Sequence, residues 1–354
     1  MSEIYASKPT QSHYPSKLNA RQWLNKIRRA GIGILSAGNV YKPNAAGREI
    51  TDHVQHTIAT RKIAITSPKG GTGKTSVAVN LAVCLALNGI KTYLVDADGN
   101  AGTMKYHLRL NNFKSTLSKL LQSETASSSN PSKIVSNSSL LDAFTPMDDL
   151  PTLMVLPGLN TNDLGDMSLQ HGEMIDQIIA GLYEAGTADG GVVIMDVGVN
   201  PFHPIHRAAL RHAEEIEIVI KPEIPDLSLT YDWIVNMIDA VAAVTSQQTA
   251  AEFIGGRVKV CYNMVVGDSF KKYHGLLQNA LEADRHGLVL ALKGVLPYVD
   301  YRWACNAING KSPQDILAWR YQVSQPKELA LFTEAILGFA CCFVPSVSKW
   351  VSTQ

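Results

Sequence analysis

An α/β fold built on a mostly parallel central sheet, with helices on both faces, is the class this sequence predicts. Three observations carry it. From Lys62 onward, short β-type runs alternate with helical stretches in βαβα order. A glycine-rich turn, Ser67 to Ser76, stands between the first such run and the first such helix. Carboxylates close two further runs, at Asp96-Ala97-Asp98 and at Asp196, which is where an α/β sheet gathers its ligands.

Residues 1–16 are polar and contain Pro9 and Pro15, which reads as an unstructured start. Lys17 to Ala30 has the pattern of an amphipathic helix. Ala20, Trp23, Leu24, Ile27 and Ala30 fall on one side, Arg21, Asn25, Arg28 and Arg29 on the other, and Gly31 stops it. Such a helix would cover the folded domain of its own chain, lie on an anionic membrane, or touch a DNA backbone. Residues 31–60 contain Gly, Asn and Pro, with a short helical stretch around Ile50 to Ile58. The expected division is therefore a basic N-terminal extension, 1–60, and one α/β domain, 61–354.

Within that domain Lys62 to Thr66 reads as the first strand. The first helix runs from Lys74 to Leu87 and ends at Asn88-Gly89, a favourable C-terminal stop. Lys91 to Val95 is the second strand, and residues 115–122 are helix-like. Ser123 to Ser139 is rich in Ser and Asn, holds Pro131, and reads as a mobile surface loop. Leu153 to Leu156 is a strand closed by Pro157-Gly158. A helix over about 170–186 leads into Gly191-Val192-Val193-Ile194-Met195-Asp196, and strands follow at Ile216–Ile220 and Val258–Tyr262. Pro326 to Phe343 reads as a last helix packed on the sheet. It lacks the basic flank of a membrane anchor.

The turn Ser67-Pro68-Lys69-Gly70-Gly71-Thr72-Gly73-Lys74-Thr75-Ser76 is built to hold phosphate. Gly70, Gly71 and Gly73 can take backbone angles closed to other residues, so successive N–H groups converge on one anion. The dipole of the following helix adds to the attraction. Lys74 would meet the β- and γ-phosphates, and the Thr75 hydroxyl would join a Mg²⁺ shell. The ordinary pattern G-x-x-x-x-G-K-[ST] needs a glycine five residues before Gly73, and Pro68 stands there instead. Lys69 follows it, giving Lys-Gly-Gly-Thr-Gly-Lys-Thr. This resembles the deviant Walker A loop of the ParA/MinD family of P-loop ATPases.

The resemblance implies much of the rest. Lys69 would reach a nucleotide held by a partner subunit, making the active form an ATP-bound homodimer. Thr72 and Ser76 would complete the nucleotide-binding loop. Asp98 of Asp96-Ala97-Asp98 would orient the attacking water, and Asp96 would support the Mg²⁺ region. Asp196 has the form of the aspartate that grips Mg²⁺ through water. The sequence after Asp98 is Gly99-Asn100 where the family's partition members continue Pro-Gln, and Val197-Gly198-Val199-Asn200-Pro201 departs from the family's Asp-Thr-Pro-Pro. Asn263 matches the residue that reads the adenine edge. Gly294 to Asp300, with Pro297, matches the loop that packs on the base, and Ala307 to Pro313 continues the likeness. Pro222-Glu223 matches an element that frames the pocket. His203 and His206 are spaced to permit a metal, or belong to a solvated helix with Arg207 and Arg211.

Composition narrows the setting. The chain has 354 residues, 45% hydrophobic and 18% charged, with a net charge of +1, so no global basic field demands nucleic acid. Residues 1–62 nevertheless hold ten Lys or Arg against three Asp or Glu, which makes the extension the electrostatically distinct part. Five cysteines without a C-x-x-C pair argue against a disulfide framework and for a reducing cytoplasm. Nor is any pair placed to hold an iron–sulfur cluster at a dimer axis. The expected function is an ATP-hydrolysing dimeric switch, slow and stimulated by an activating adaptor protein, that positions or segregates a cargo, DNA in plasmid or chromosome partition, and binds non-specific DNA. A membrane-associated switch that positions a secretion, pilus, flagellar or division complex is the alternative. A non-hydrolysing regulator of the same fold is the third reading.

Overall fold

The computed structural model describes residues 60–298 and 327–344, apart from 100–101, 109, 111, 127–136, 149, 159–171, 243–246 and 284–287. The amphipathic stretch Lys17 to Ala30, the helical stretch around Ile50, and Ala307 to Pro313 lie outside the described residues. The strands are β1 (Lys62–Thr66), β2 (Thr92–Ala97), β3 (Thr145–Met147), β4 (Leu150–Leu156), β5 (Val192–Val197), β6 (Glu215–Ile220), β7 (Val258–Val265) and β8 (Ala291–Pro297). They form one sheet in the order β3-β4-β2-β5-β1-β6-β7-β8. Each pairing is parallel except β3 with β4.

The sheet is covered by α1 (Lys74–Leu87), α2 (Met104–His107), α3 (Leu117–Ala126), α4 (Asn137–Asp142), α5 (Gly172–Ala188), α6 (Pro204–His212), α7 (Ile224–Ala242), α8 (Gln247–Arg257), α9 (Ser269–Ala283) and α10 (Lys327–Cys341). Parallel strands buried on both faces need no polar alternation, and β2, β5 and β6 are buried at every position. α1 shows the same logic in helical form. Every residue from Val77 to Ala86 is buried, because α1 lies between the sheet and α10. Each large apolar side chain placed there contributes about 1.5–3 kcal/mol, so α1 is held by burial rather than by a polar face.

The elements agree closely with the sequence where strand and loop alternate sharply. β1 and α1 have the expected limits, and α10 falls within the expected Pro326 to Phe343. The stretch expected as a mobile loop, Ser123 to Ser139, is helical at both described ends, in α3 and α4. The antiparallel edge strand β3 was not foreseen. It is three residues long with Pro146 at its centre, which carries almost no strand signal.

This topology fixes the site. β1 is central, with β5 on one side and β6 on the other, and the glycine-rich turn leaves its C-terminal end. β2 and β5 end beside it and deliver Asp96 and Asp196, which are register partners.

Candidate functional site

The turn after β1 is shaped by two left-handed glycines, Gly71 at φ 77° and Gly73 at φ 88°. Gly70 and Gly71 face open space, whereas a side chain at Gly73 would collide with the Asn263 amide. Gly73 is also the N-cap of α1, where no side chain caps the helix and no acidic residue occupies the first turn. Helices ordinarily satisfy these first N–H groups with a capping oxygen. Here they are left to the mouth of the turn, with the positive end of the helix dipole behind them.

Polar groups around that mouth are buried and incompletely bonded. Thr72 Oγ1 and Asp196 Oδ1 have no hydrogen-bond partner although both residues are buried. Thr75 donates its hydroxyl to Asp196, and Lys74 Nζ stands 3.9 Å from Asp98 Oδ2. Burial raises the pKa of Asp196 above the ordinary carboxylate value, while the Lys74 charge and the Thr75 bond hold it back. Burial likewise raises Asp96, and the neighbouring charge of Asp196 adds to the rise. A bound cation beside these acids would remove much of that penalty.

The two strand-end acids have different local partners. Asp96 Oδ1 accepts the Asp98 N–H at 3.3 Å, and Oδ2 accepts the Met104 N–H at 3.1 Å. Gly102 and Gly158 pack against its carboxylate so closely that a Cβ at either would crowd it. Asp96 therefore folds the loop that carries Asp98, while Asp196 keeps an oxygen for something else. The loop after β5 is tied back to β1, since Thr66 Oγ1 donates to the Gly198 carbonyl oxygen at 3.0 Å.

Asn263 is brought to the turn from β7, and its Nδ2 donates to the Thr72 carbonyl oxygen at 2.8 Å. Its amide thus braces the turn. The next residue, Met264, has φ 57°, an uncommon left-handed conformation for a methionine. Pro297 ends β8 as the register partner of Val265, and Tyr298 N–H bonds the Val265 carbonyl oxygen at 3.0 Å. The loop after β8 therefore begins beside the Asn263 strand, and its continuation through Asp300 lies outside the described residues. Ser76 offers its carbonyl oxygen to the buried Asn80 at 2.6 Å.

Comparison with known proteins follows the same lines. Residues 60–185 match a family model described as an AAA domain. None of the curated proteins matches the chain. Among solved structures, a ParA family ATPase from Chlorobium tepidum is similar at TM-score 0.55 and 16% identity, over 80% of this chain and 98% of that one. MinD of Pyrococcus horikoshii, solved with Mg-ADP, is similar at TM-score 0.53 and 20% identity, over 79% and 94% of the two chains. The chain shares its fold with these proteins. An ATP complex of McdA from Cyanothece is similar at TM-score 0.54 and 13% identity, over 79% and 96%.

On this fold Lys69 has a position that its sequence motif did not announce. Its ammonium pairs with Glu223 at 2.7 Å and with Asp226, both at the start of α7. Asp226 and then Glu223 raise the pKa of Lys69, so the lysine is firmly cationic. Glu223 was expected near the pocket from Pro222-Glu223, but Asp226 was not. Its signal, an acid in the first turn of a helix, is common to many helices. Asp226 is itself fully buried, and Oδ2 accepts the Lys221 N–H at 2.8 Å.

His206 also departs from expectation. Instead of lying on a solvated helix face it is fully buried, with both ring nitrogens bonded to backbone. Among the described residues no group of three His, Cys, Asp or Glu side chains is arranged to hold a metal. No described helix is long and apolar enough to cross a membrane.

Proposed function

We propose that this chain is an ATP-driven, dimerising switch of the ParA/MinD type that positions a cargo, with duplex DNA as its working surface. The observation that carries the reading is the anion cradle: two left-handed glycines, an uncapped helix N-terminus, and orphaned oxygens on Thr72 and Asp196 beside Lys74. Buried polar atoms are almost always bonded, so two unbonded ones at one mouth support a polar ligand there. The donor set fits Mg-ATP. Gly70 to Ser76 supply N–H groups, Lys74 a cation, Thr75 a hydroxyl and Asp196 the carboxylate of the metal side, with Asp96 supporting that region through the loop it folds.

Mg-ATP, when bound, supplies a phosphoryl group for transfer to water and a divalent charge against the strand-end acids. The chain's residues do the rest. The N–H groups of the turn and Lys74 hold and orient the phosphates. Asp98, placed by Asp96, would accept a hydrogen bond from the attacking water and so orient it. Gly198, free of a side chain, leaves its loop able to approach the γ-phosphate position and to relax once that phosphate is gone. Asn263 and Pro297 shape the base side. Lys69 would leave Glu223 and Asp226 and cross to the nucleotide of a second copy, which makes the ATP state a homodimer.

Mg-ADP with one fold neighbour and ATP with another support the cofactor pair, and a MinC:MinD complex from Aquifex aeolicus supports an adaptor that acts on the dimer. The basic residues of 1–62 suit either anionic surface, and the lack of a basic membrane-anchor flank on Pro326 to Phe343 favours DNA. The test is ATP turnover by the full chain alone, with duplex DNA, and with anionic phosphatidylglycerol vesicles. Stimulation by DNA is expected. Stimulation by vesicles alone favours the membrane reading, and nucleotide binding without turnover favours a non-hydrolysing regulator.

A further inference from the structure

His206 lies in the first half of α6, and its ring reaches two loops that come from different strands. Nε2 lies 2.9 Å from the Gly99 N–H, in the loop after β2 that carries Asp98. Nδ1 lies 2.6 Å from the Asn200 carbonyl oxygen, in the loop after β5 that carries Gly198. A backbone N–H can only donate and a carbonyl can only accept. Nε2 must therefore hold a lone pair and Nδ1 the proton, so one neutral tautomer fits and the others do not. Burial keeps the ring neutral, with its pKa lowered to about 4.

The packing is as particular as the bonding. The His203 ring stacks on His206, with centroids 4.6 Å apart and planes inclined by 36°. A Cβ at Gly99 would collide with the His203 ring, and one at Gly198 with the His206 ring. The same added Cβ at Gly198 would stand 2.9 Å from Asp98 Oδ1. Both loops thus close on one pair of imidazoles, with glycine at each point of approach and the Asp98 carboxylate between them. A side chain that only filled space here would need neither nitrogen. An aliphatic residue would pack without the cost of desolvating two polar atoms.

We infer that His206 is a positioning residue that locks the Asp98 loop to the Gly198 loop, so that the water-holding carboxylate is in place only when the second loop is. Both ring nitrogens of His206 are engaged by backbone groups. The residue acts through the Gly99 N–H, one residue from Asp98, and through Asn200, two residues from Gly198. The inference rests on the ATPase reading for its kinetic consequence, but the lock itself has a readout that needs no nucleotide.

Three variants divide the ring's contributions. His206→Gln can accept from Gly99, His206→Asn can donate to Asn200, and His206→Leu fills the space with neither bond. The expected pattern is a kcat lowered about tenfold or more in His206→Leu with KM within about threefold, and a kcat closest to wild type in His206→Gln. A His206→Leu protein with wild-type kcat overturns the inference. So does a loss in which kcat and KM change together by equal factors in every variant. Amide hydrogen exchange on the nucleotide-free full chain separates this from the ATPase reading. His206→Leu should accelerate exchange at both residues 98–99 and 198–200, by about tenfold or more. Acceleration in one loop alone overturns the coupling. Wild-type protein that shows the coupled exchange but no turnover sinks the ATPase reading and leaves the lock standing.

Discussion

Asp196 and Glu217 occupy one row of the sheet, each the register partner of Ile65, and both are almost wholly buried. They share the same electrostatic predicament, since burial raises each above its ordinary pKa. Their neighbours separate them. Asp196 is the penultimate residue of its strand, touches Thr75 and the Lys74 charge, and keeps an unbonded oxygen at the mouth of a glycine turn. Glu217 is mid-strand and shares Lys293 with Glu215. Its two oxygens also lack a hydrogen-bond partner but face no glycine turn, so an unbonded oxygen alone does not separate the two acids. Lys293 Nζ lies 3.9 Å from Glu217 and 3.9 Å from the centre of the Phe343 ring. A buried carboxylate is therefore not a site in itself. It becomes one where strand end, cation and open donors meet.

The predictions press on that contrast. The largest effect belongs to the cation on the Asp196 side. Lys74→Ala should weaken nucleotide binding on the order of 100-fold in calorimetric titration, as loss of charged hydrogen bonds implies. Asp196→Asn should lower Mg-dependent turnover by about 10- to 100-fold, measured as phosphate release, while the protein remains folded. Glu217→Gln should leave turnover unchanged. If Asp196→Asn and Glu217→Gln gave the same kinetics, the distinction between the two acids would be lost.

Glu217 sharpens the contrast through pH. Its folded-state pKa is raised, by burial first and then by Glu215, against the opposing charges of Lys293 and Lys259. The native state therefore holds a proton that the unfolded chain releases, and stability falls as pH climbs above the ordinary glutamate range toward the raised value. Glu217→Gln should flatten that slope and raise Tm at pH 8 by about 2–4 °C, in melts followed by circular dichroism. An unchanged slope would mean that the carboxylate is compensated in the native state. The smallest effect is expected at Glu223, an exposed partner of Lys69. Glu223→Gln should favour the ATP-analogue dimer by about two- to fivefold in equilibrium sedimentation, since exposed ion pairs hold weakly.

Much of this was legible in the sequence, and the reasons are specific. Ser67 to Ser76 declares its turn because glycine, lysine and threonine there have few other joint uses, and β1 and α1 follow at the expected residues. Asp96 and Asp196 were marked by apolar runs before them. What Asp96 does was hidden, because its bonds go to the backbone N–H groups of Asp98 and Met104, and backbone partners leave no sequence pattern. His206 was hidden for the same reason, and its flanking Arg207 gave α6 a solvated look. The clasp of Lys69 by Glu223 and Asp226 spans more than 150 residues of chain, a pairing that only the β1–β6 register creates.

The central claim is that Lys69 leaves this clasp to complete the site of a second copy. Sedimentation velocity of the full chain with a slowly hydrolysed ATP analogue tests it most directly, with Lys69→Ala run alongside. Wild-type protein is expected to move from monomer to dimer on adding the analogue, and Lys69→Ala to bind the analogue yet remain a monomer. A wild-type chain that stays monomeric while saturated with analogue, or a Lys69→Ala chain that dimerises as readily, would contradict the account.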